Sequence, residues 1–182
     1  MVARGIKSII KAAVLFALAL GSPALAETSL PVLPGDDDRV MAETVAIPNT
    51  GLPALVQMVA AAPAATDAEL DCLATAVWFE SRGETLEGQL AVAQAVVNRA
   101  KSGKWGKGVC GVIKAPRQFN FNAARVQRST ATFTTALAVA RIAAAGLWHD
   151  IAAGAHSFHA ARLNPGWRLT RVARIGSHVF YR

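Results

Sequence analysis

Between residues 72 and 182 the chain has only four carboxylates, Glu80, Glu84, Glu87 and Asp150, so any acid–base chemistry there must draw on them. Glu80 has the most favourable setting. At 100° per residue it falls at the edge of an apolar helical stripe formed by Leu70, Leu73, Ala74, Val77 and Trp78, with Phe79 beside it. A carboxyl that loses hydration resists ionisation, and its raised pKa suits a general acid near neutral pH. The residues alone leave a structural pairing with an arginine equally open. Glu84 stands three residues after Ser81, the spacing of a capping box, so it is expected first as a helix cap and second as an auxiliary carboxylate. Glu87 reads as a solvated first-turn residue whose charge suits the helix dipole. Asp150 receives no task.

His156 and His159 form an H-x-x-H pair, with His178 further on. On a strand, positions i and i+3 point to opposite faces, which argues against shared ligation. Neither C-x-x-C nor H-E-x-x-H occurs, so no metal and no cofactor is expected.

The elements that must position these groups follow from periodicity and punctuation. Thr66 and Glu69 carry capping-box spacing ahead of the Leu70–Trp78 stripe, and Gly83 breaks that helix. A second helix follows Ser81 and Glu84, with Leu86, Leu90, Ala93 and Val97 as its stripe up to Arg99. Gly103, Gly106, Gly108 and Gly111 predict a loop-rich stretch, and a third helix is expected over residues 129–145, ending near Gly146. Residues 155–160, 170–175 and 178–182 are short and rich in β-branched or aromatic side chains, with Gly176-Ser177 as a hairpin turn. Helices first and a small antiparallel sheet last make an α+β domain over residues 66–182.

Ahead of that domain, Arg4, Lys7 and Lys11 precede the apolar run AAVLFALAL and the small residues Ala24-Leu25-Ala26, the pattern of an export signal over residues 1–26. Residues 27–65 hold five of the eight prolines and read as an acidic, Pro/Ala-rich linker within which Leu55 to Ala62 could form a short helix. A periplasmic or extracellular monomer, without stable membrane insertion after cleavage, is the expectation. Export turns Cys72 and Cys110 into an expected disulfide, with buried thiols or a nucleophile as the alternatives. The net charge of +7 is uneven: residues 27–71 carry eight acids against one base, and residues 72–182 carry fifteen Lys and Arg against four acids. A basic surface suits nucleic acid, an anionic membrane or an acidic wall polymer, and export disfavours nucleic acid.

The segments Cys72–Glu84 (CLATAVWFESRGE) and Glu87–Arg99 (EGQLAVAQAVVNR) resemble the SleB family of cell-wall hydrolases. The likeness resumes at Val109-Cys110-Gly111-Val112, Arg117-Gln118-Phe119, Ala155-His156, Pro165-Gly166-Trp167 and Ile175–Tyr181 (IGSHVFY). The resemblance implies a lysozyme-like domain acting on peptidoglycan, with Glu80 as catalyst. Glu80-Ser81 is also similar to the Glu-Ser pair of lytic transglycosylases. Glycosidases with two carboxyls set them about 5–9.5 Å apart across the scissile bond, whereas Glu80, Glu84 and Glu87 lie on adjoining segments. A single acid points to a transglycosylase that opens the MurNAc–GlcNAc β-1,4 bond and yields 1,6-anhydro-MurNAc. An N-acetylmuramoyl-L-alanine amidase and a non-catalytic wall-binding module are the alternatives. Gln94, Asn98, Gln118, Phe119 and His156 are the expected substrate contacts, because amides match sugar hydroxyls and acetamido groups, and an aromatic face stacks on a pyranose.

Overall fold

A computed structural model describes residues 51–63 and 65–182. The expected export signal and most of the expected linker lie outside the described residues. The described residues hold five α-helices, α1 (Leu52–Ala61), α2 (Ala68–Ser81), α3 (Leu86–Ser102), α4 (Gly108–Lys114) and α5 (Ala131–Ala145), and one 3-10 turn at Ala123–Arg125. Strands β1 (Ser157–Ala160), β2 (Arg171–Ile175) and β3 (His178–Tyr181) follow, giving the α+β class expected. None of the helices is long and apolar enough to cross a membrane.

The helix starts differ from the expected capping boxes. Asp67, not Thr66, caps α2, its Oδ1 accepting from the Leu70 amide at 2.8 Å. Glu69 is thereby released to reach across to the start of α4, where Oε2 accepts from the Val109 and Cys110 amides. Gly108 is required there. It has φ +70°, and a Cβ would lie 2.6 Å from Glu69 Oε2. The Cys72–Cys110 disulfide makes a second tie between α2 and α4. These two ties hold a helix in a stretch whose glycines predict loop. Thr85, rather than Ser81, caps α3 by accepting from the Gly88 amide at 3.3 Å. Ser81 instead closes α2, its hydroxyl donating to Val77 O at 2.9 Å.

Helix α2 is the core element, with Leu73, Ala74, Ala76 and Val77 fully enclosed among the other helices. Helix α3 is apolar on two sides. Leu90, Ala93 and Val96 face the helical core, while Ala91, Val92 and Ala95 join Ala152, Ala155 and Phe180 under the sheet. Helix α5 follows the expectation closely: Thr130 caps it by accepting from the Phe133 amide, and Gly146 ends it at φ +66°. The sheet is antiparallel in the order β1-β3-β2, with Phe158 opposite Phe180 and Ile175 opposite His178 across the Gly176-Ser177 turn.

The short helix expected over Leu55–Ala62 is present as α1, which begins three residues earlier; its Leu52, Leu55, Val56 and Val59 are buried at i, i+3, i+4 and i+7. Pro53 sits in its first turn, where a missing N–H costs nothing. Arg141 of α5 secures its end, Nη1 donating to Val59 O at 2.6 Å and to Ala62 O at 3.2 Å. Leu55→Ala should therefore lower stability by about 2–4 kcal/mol in urea unfolding; an unchanged midpoint would show that α1 adds nothing to the folded unit.

Candidate active site

Glu80 occupies the last turn of α2, and its neighbours are fixed on both sides. Trp78 Nε1 donates to Thr132 Oγ1 at 3.0 Å, and Phe79 stacks on Phe121 with centroids 4.6 Å apart. Arg82 lies over Trp78, its guanidinium 4.1 Å from the ring centroid. Glu80 itself is half-buried. Burial pushes its pKa above the ordinary glutamate value, and the positive charge of Arg99 opposes that rise. Arg99 does not clamp it: the ion pair within 4 Å among the described residues is Arg128–Asp71.

Arg99 organises the surroundings. It is only 7 % exposed. Its Nε donates to His156 O and its Nη1 to Gln118 Oε1 at 3.2 Å. The rings of Phe119, Phe158 and Trp105 surround the guanidinium with centroids 5.4, 5.6 and 5.9 Å away. His156 stacks on Trp105 at 5.6 Å. Gln118, Phe119 and His156, expected as substrate contacts, are thus gathered around one buried cation to which sequence reasoning gave no role. Its signal was present: Arg99 follows Val92 and Ala95 at i+7 and i+4, so a charge extends a buried apolar stripe of α3.

Gln94 and Asn98 are engaged elsewhere. Gln94 is buried, its Nε2 donating to His149 O at 2.8 Å and its Oε1 accepting from the Ile151 amide at 3.0 Å. Asn98 Nδ2 donates to Asp150 Oδ2 and Ala155 O. Asp150 also accepts from the Ala152 and Gly154 amides. Together they brace the loop that leads into β1, Gln94 through both its amide nitrogen and oxygen and Asn98 through its nitrogen.

Glu84 is no helix cap. Its Oε2 accepts from the Ser177 amide at 2.9 Å and its Oε1 from the Ser177 hydroxyl, fastening the β2–β3 turn to the start of α3. The Ser177 hydroxyl and amide hold its carboxyl below the usual glutamate range. Glu87 stands exposed in the first turn of α3. His159 bonds Tyr181 Oη and Ala160 O, each at 2.9 Å, away from the Trp105 face that His156 uses. Among the described residues no three His, Cys, Asp or Glu side chains gather as a metal site.

The sequence profile described as Cell Wall Hydrolase matches residues 83–181. The chain belongs to this family. The spore cortex-lytic enzyme of Bacillus cereus is 33 % identical over 114 residues, which is 62 % of this chain and 43 % of that protein. Its counterpart from Oceanobacillus iheyensis is 32 % identical over 62 % of this chain and 41 % of its own length. The chain thus spans less than half of these relatives. The crystal structure of the catalytic domain of the Bacillus cereus SleB protein is similar at a TM-score of 0.55 and 31 % identity, covering 66 % of this chain and 94 % of that one. The catalytic domain of a germination-specific lytic transglycosylase, SleB from Bacillus anthracis, gives 0.52 and 30 %, with all of that chain covered. The profile match begins three residues after Glu80, so the role of Glu80 rests on its own surroundings.

Two outcomes test these assignments. A carboxyl whose folded pKa is raised stabilises the fold only while protonated, and that contribution is lost as pH rises through the folded pKa. Glu80→Gln should therefore leave the domain as stable as wild type or more so at pH 7–8, the difference closing below the ordinary glutamate range; a marked fall in Tm at neutral pH would contradict the burial account. Gly176 has φ +56°, and a Cβ there would meet Glu84 Oε2 at 2.1 Å. Gly176→Ala should cost about 1–3 kcal/mol in chemical denaturation, and because the positive φ remains, part of that penalty should persist in a Glu84→Ala background.

Proposed function

We propose that the chain cleaves peptidoglycan glycan strands as a lytic transglycosylase, with Glu80 as general acid and then base. One observation carries this reading: nearly every other carboxylate of the described residues already has a structural partner. Asp67 caps α2, Glu69 accepts from the α4 amides, Asp71 pairs with Arg128, Glu84 holds Ser177, and Asp150 holds its own loop. Glu87 is exposed on α3, beyond the Glu84 turn. That leaves Glu80 half-dry, raised in pKa and unpaired, and among the described residues no second carboxylate shares its setting as a nucleophile or an activator of water.

A single acid favours substrate assistance. Glu80 donates its proton to the glycosidic oxygen as the C1–O bond opens. The 6-hydroxyl of the same muramic acid attacks C1, and its proton passes to the Glu80 carboxylate. The acid is regenerated, and the products are a shortened strand and a 1,6-anhydro end. The positive charge of Arg99 opposes the rise in the Glu80 pKa and so favours the carboxylate that acts as base in the second half of the cycle. The Bacillus anthracis neighbour named a lytic transglycosylase supports the same outcome. The expected export signal at residues 1–26 would deliver the domain to a polymer that lies outside the cytoplasm.

Glu80→Gln should reduce turbidity loss of purified sacculi by about 10²–10⁴-fold, the usual scale of general acid–base catalysis. Wild-type activity should fall on the alkaline side as Glu80 loses its proton, at a pH above the ordinary glutamate range. Mass spectrometry of the digest should show 1,6-anhydro-muramic ends. Products ending solely in reducing muramic acid would replace the transglycosylase reading with a hydrolytic one, and full activity of Glu80→Gln would remove Glu80 from the reaction.

A further inference from the structure

A cavity of about 300 Å³ opens between α2, α4 and the segment that follows α4, lined by Thr75, Ile113, Lys114, Phe119 and Phe121 together with Asp71. It shares a wall with the neighbourhood of Glu80. Phe121 stacks on Phe79, the residue next to Glu80, and Phe119 faces the Arg99 guanidinium at 5.4 Å. Its volume is at the lower end of the range for small-molecule pockets.

The lining has a distinct chemistry. Thr75 is 3 % exposed and its hydroxyl has no hydrogen-bond partner, although helical threonines commonly bond the carbonyl four residues back. A buried hydroxyl in that state is unusual in a native protein and asks for a partner. Both oxygens of Asp71 accept from Arg128, so that pair is neutral as a unit. Lys114 is exposed and takes no part in an ion pair among the described residues, leaving the cavity with one uncompensated cation. The rest of the wall is aromatic or aliphatic. A pyranose could lay one face on a phenylalanine here, but its rim hydroxyls would find few polar partners. A short peptide suits the wall better, with a methyl group for the phenylalanines, an amide carbonyl for Thr75 and a carboxylate for Lys114.

Peptidoglycan carries such a group on the sugar beside the bond that Glu80 would open. We propose that this cavity is a subsite for the acidic peptide stem of muramic acid, with Thr75 and Lys114 as its polar contacts. The inference rests on the peptidoglycan reading above. It makes the domain selective for glycan that still bears its stems.

The test uses the full chain as wild type, Thr75→Val and Lys114→Gln. Calorimetric titration compares N-acetylmuramoyl-L-alanyl-D-glutamate with N-acetylmuramic acid, and turnover compares intact sacculi with glycan stripped of stems. Wild type should bind the muramyl peptide about tenfold more tightly than the monosaccharide. Each substitution should erase about three- to tenfold of that preference, the scale of one polar contact. Turnover of stripped glycan should be the same in all three proteins. Thr75→Val should keep its Tm, because that hydroxyl has no bond to lose. Equal affinity of wild type for the two ligands, or variants that weaken both ligands alike, would overturn the subsite. Failure of wild type to cleave either polymer, with muramyl-peptide binding still dependent on Thr75 and Lys114, would keep the subsite and overturn the catalytic reading instead.

Discussion

A guanidinium removed from water without a carboxylate in contact must find its compensation elsewhere, and Arg99 finds it in a carbonyl, an amide oxygen and the faces of three aromatic rings. Isolated buried charges are among the costliest things a fold can contain. The partners of Arg99 come from three parts of the chain: His156 and Phe158 around the start of β1, Gln118 and Phe119 after α4, and Trp105 in the Gly-rich stretch after α3. Satisfying one cation therefore fixes the approach of all three to the end of α2. Glu80 feels the same charge through space without being neutralised by it. Its carboxyl is raised by burial and restrained by Arg99, a balance that a direct ion pair would abolish.

The scaffold around that balance is tied at both ends of α2. At the start, Glu69 and the disulfide bind it to α4; just beyond its end, Glu84 binds the β2–β3 turn. Between them, α3 separates the helical core from the sheet with small residues on both faces. Alanines at 91, 93 and 95 allow close approach on either side, which bulkier residues would prevent.

Where a signal was local, the sequence conveyed it. Helix α5, the two-residue turn at Gly176-Ser177, the pairing of the two cysteines and the meeting of Gln118, Phe119 and His156 were all legible. Each depends on a short pattern, a small set of choices, or a motif quoted as a unit. Signals that required choosing between competing partners were misread. Thr66 and Asp67 both suit an N-cap, and the tertiary demand of the α4 amides drew Glu69 away from the box. Ser81 and Thr85 competed in the same way, and Ser177, far along the chain, claimed Glu84. Gln94 and Asn98 are expected as substrate contacts because amides match hydroxyls, and the fold also uses them to brace the loop before β1. Helix α1 was legible from Leu55 onward despite its proline-rich setting, since its buried residues keep helical spacing; only its start, at Leu52, lies earlier than expected.

The contact between Glu84 and Ser177 joins positions 93 residues apart, and the completely buried Phe180 covers a face of α3 laid down nearly as far upstream. His156 is likewise held by its amide on Tyr181 O. Contacts of such long sequence separation form late, since the loop they close is costly until everything within it is arranged. A growing polypeptide therefore cannot finish the surroundings of Glu80 until residues 177–181 have been made, so shorter ribosome-bound fragments would carry the glutamate without its setting.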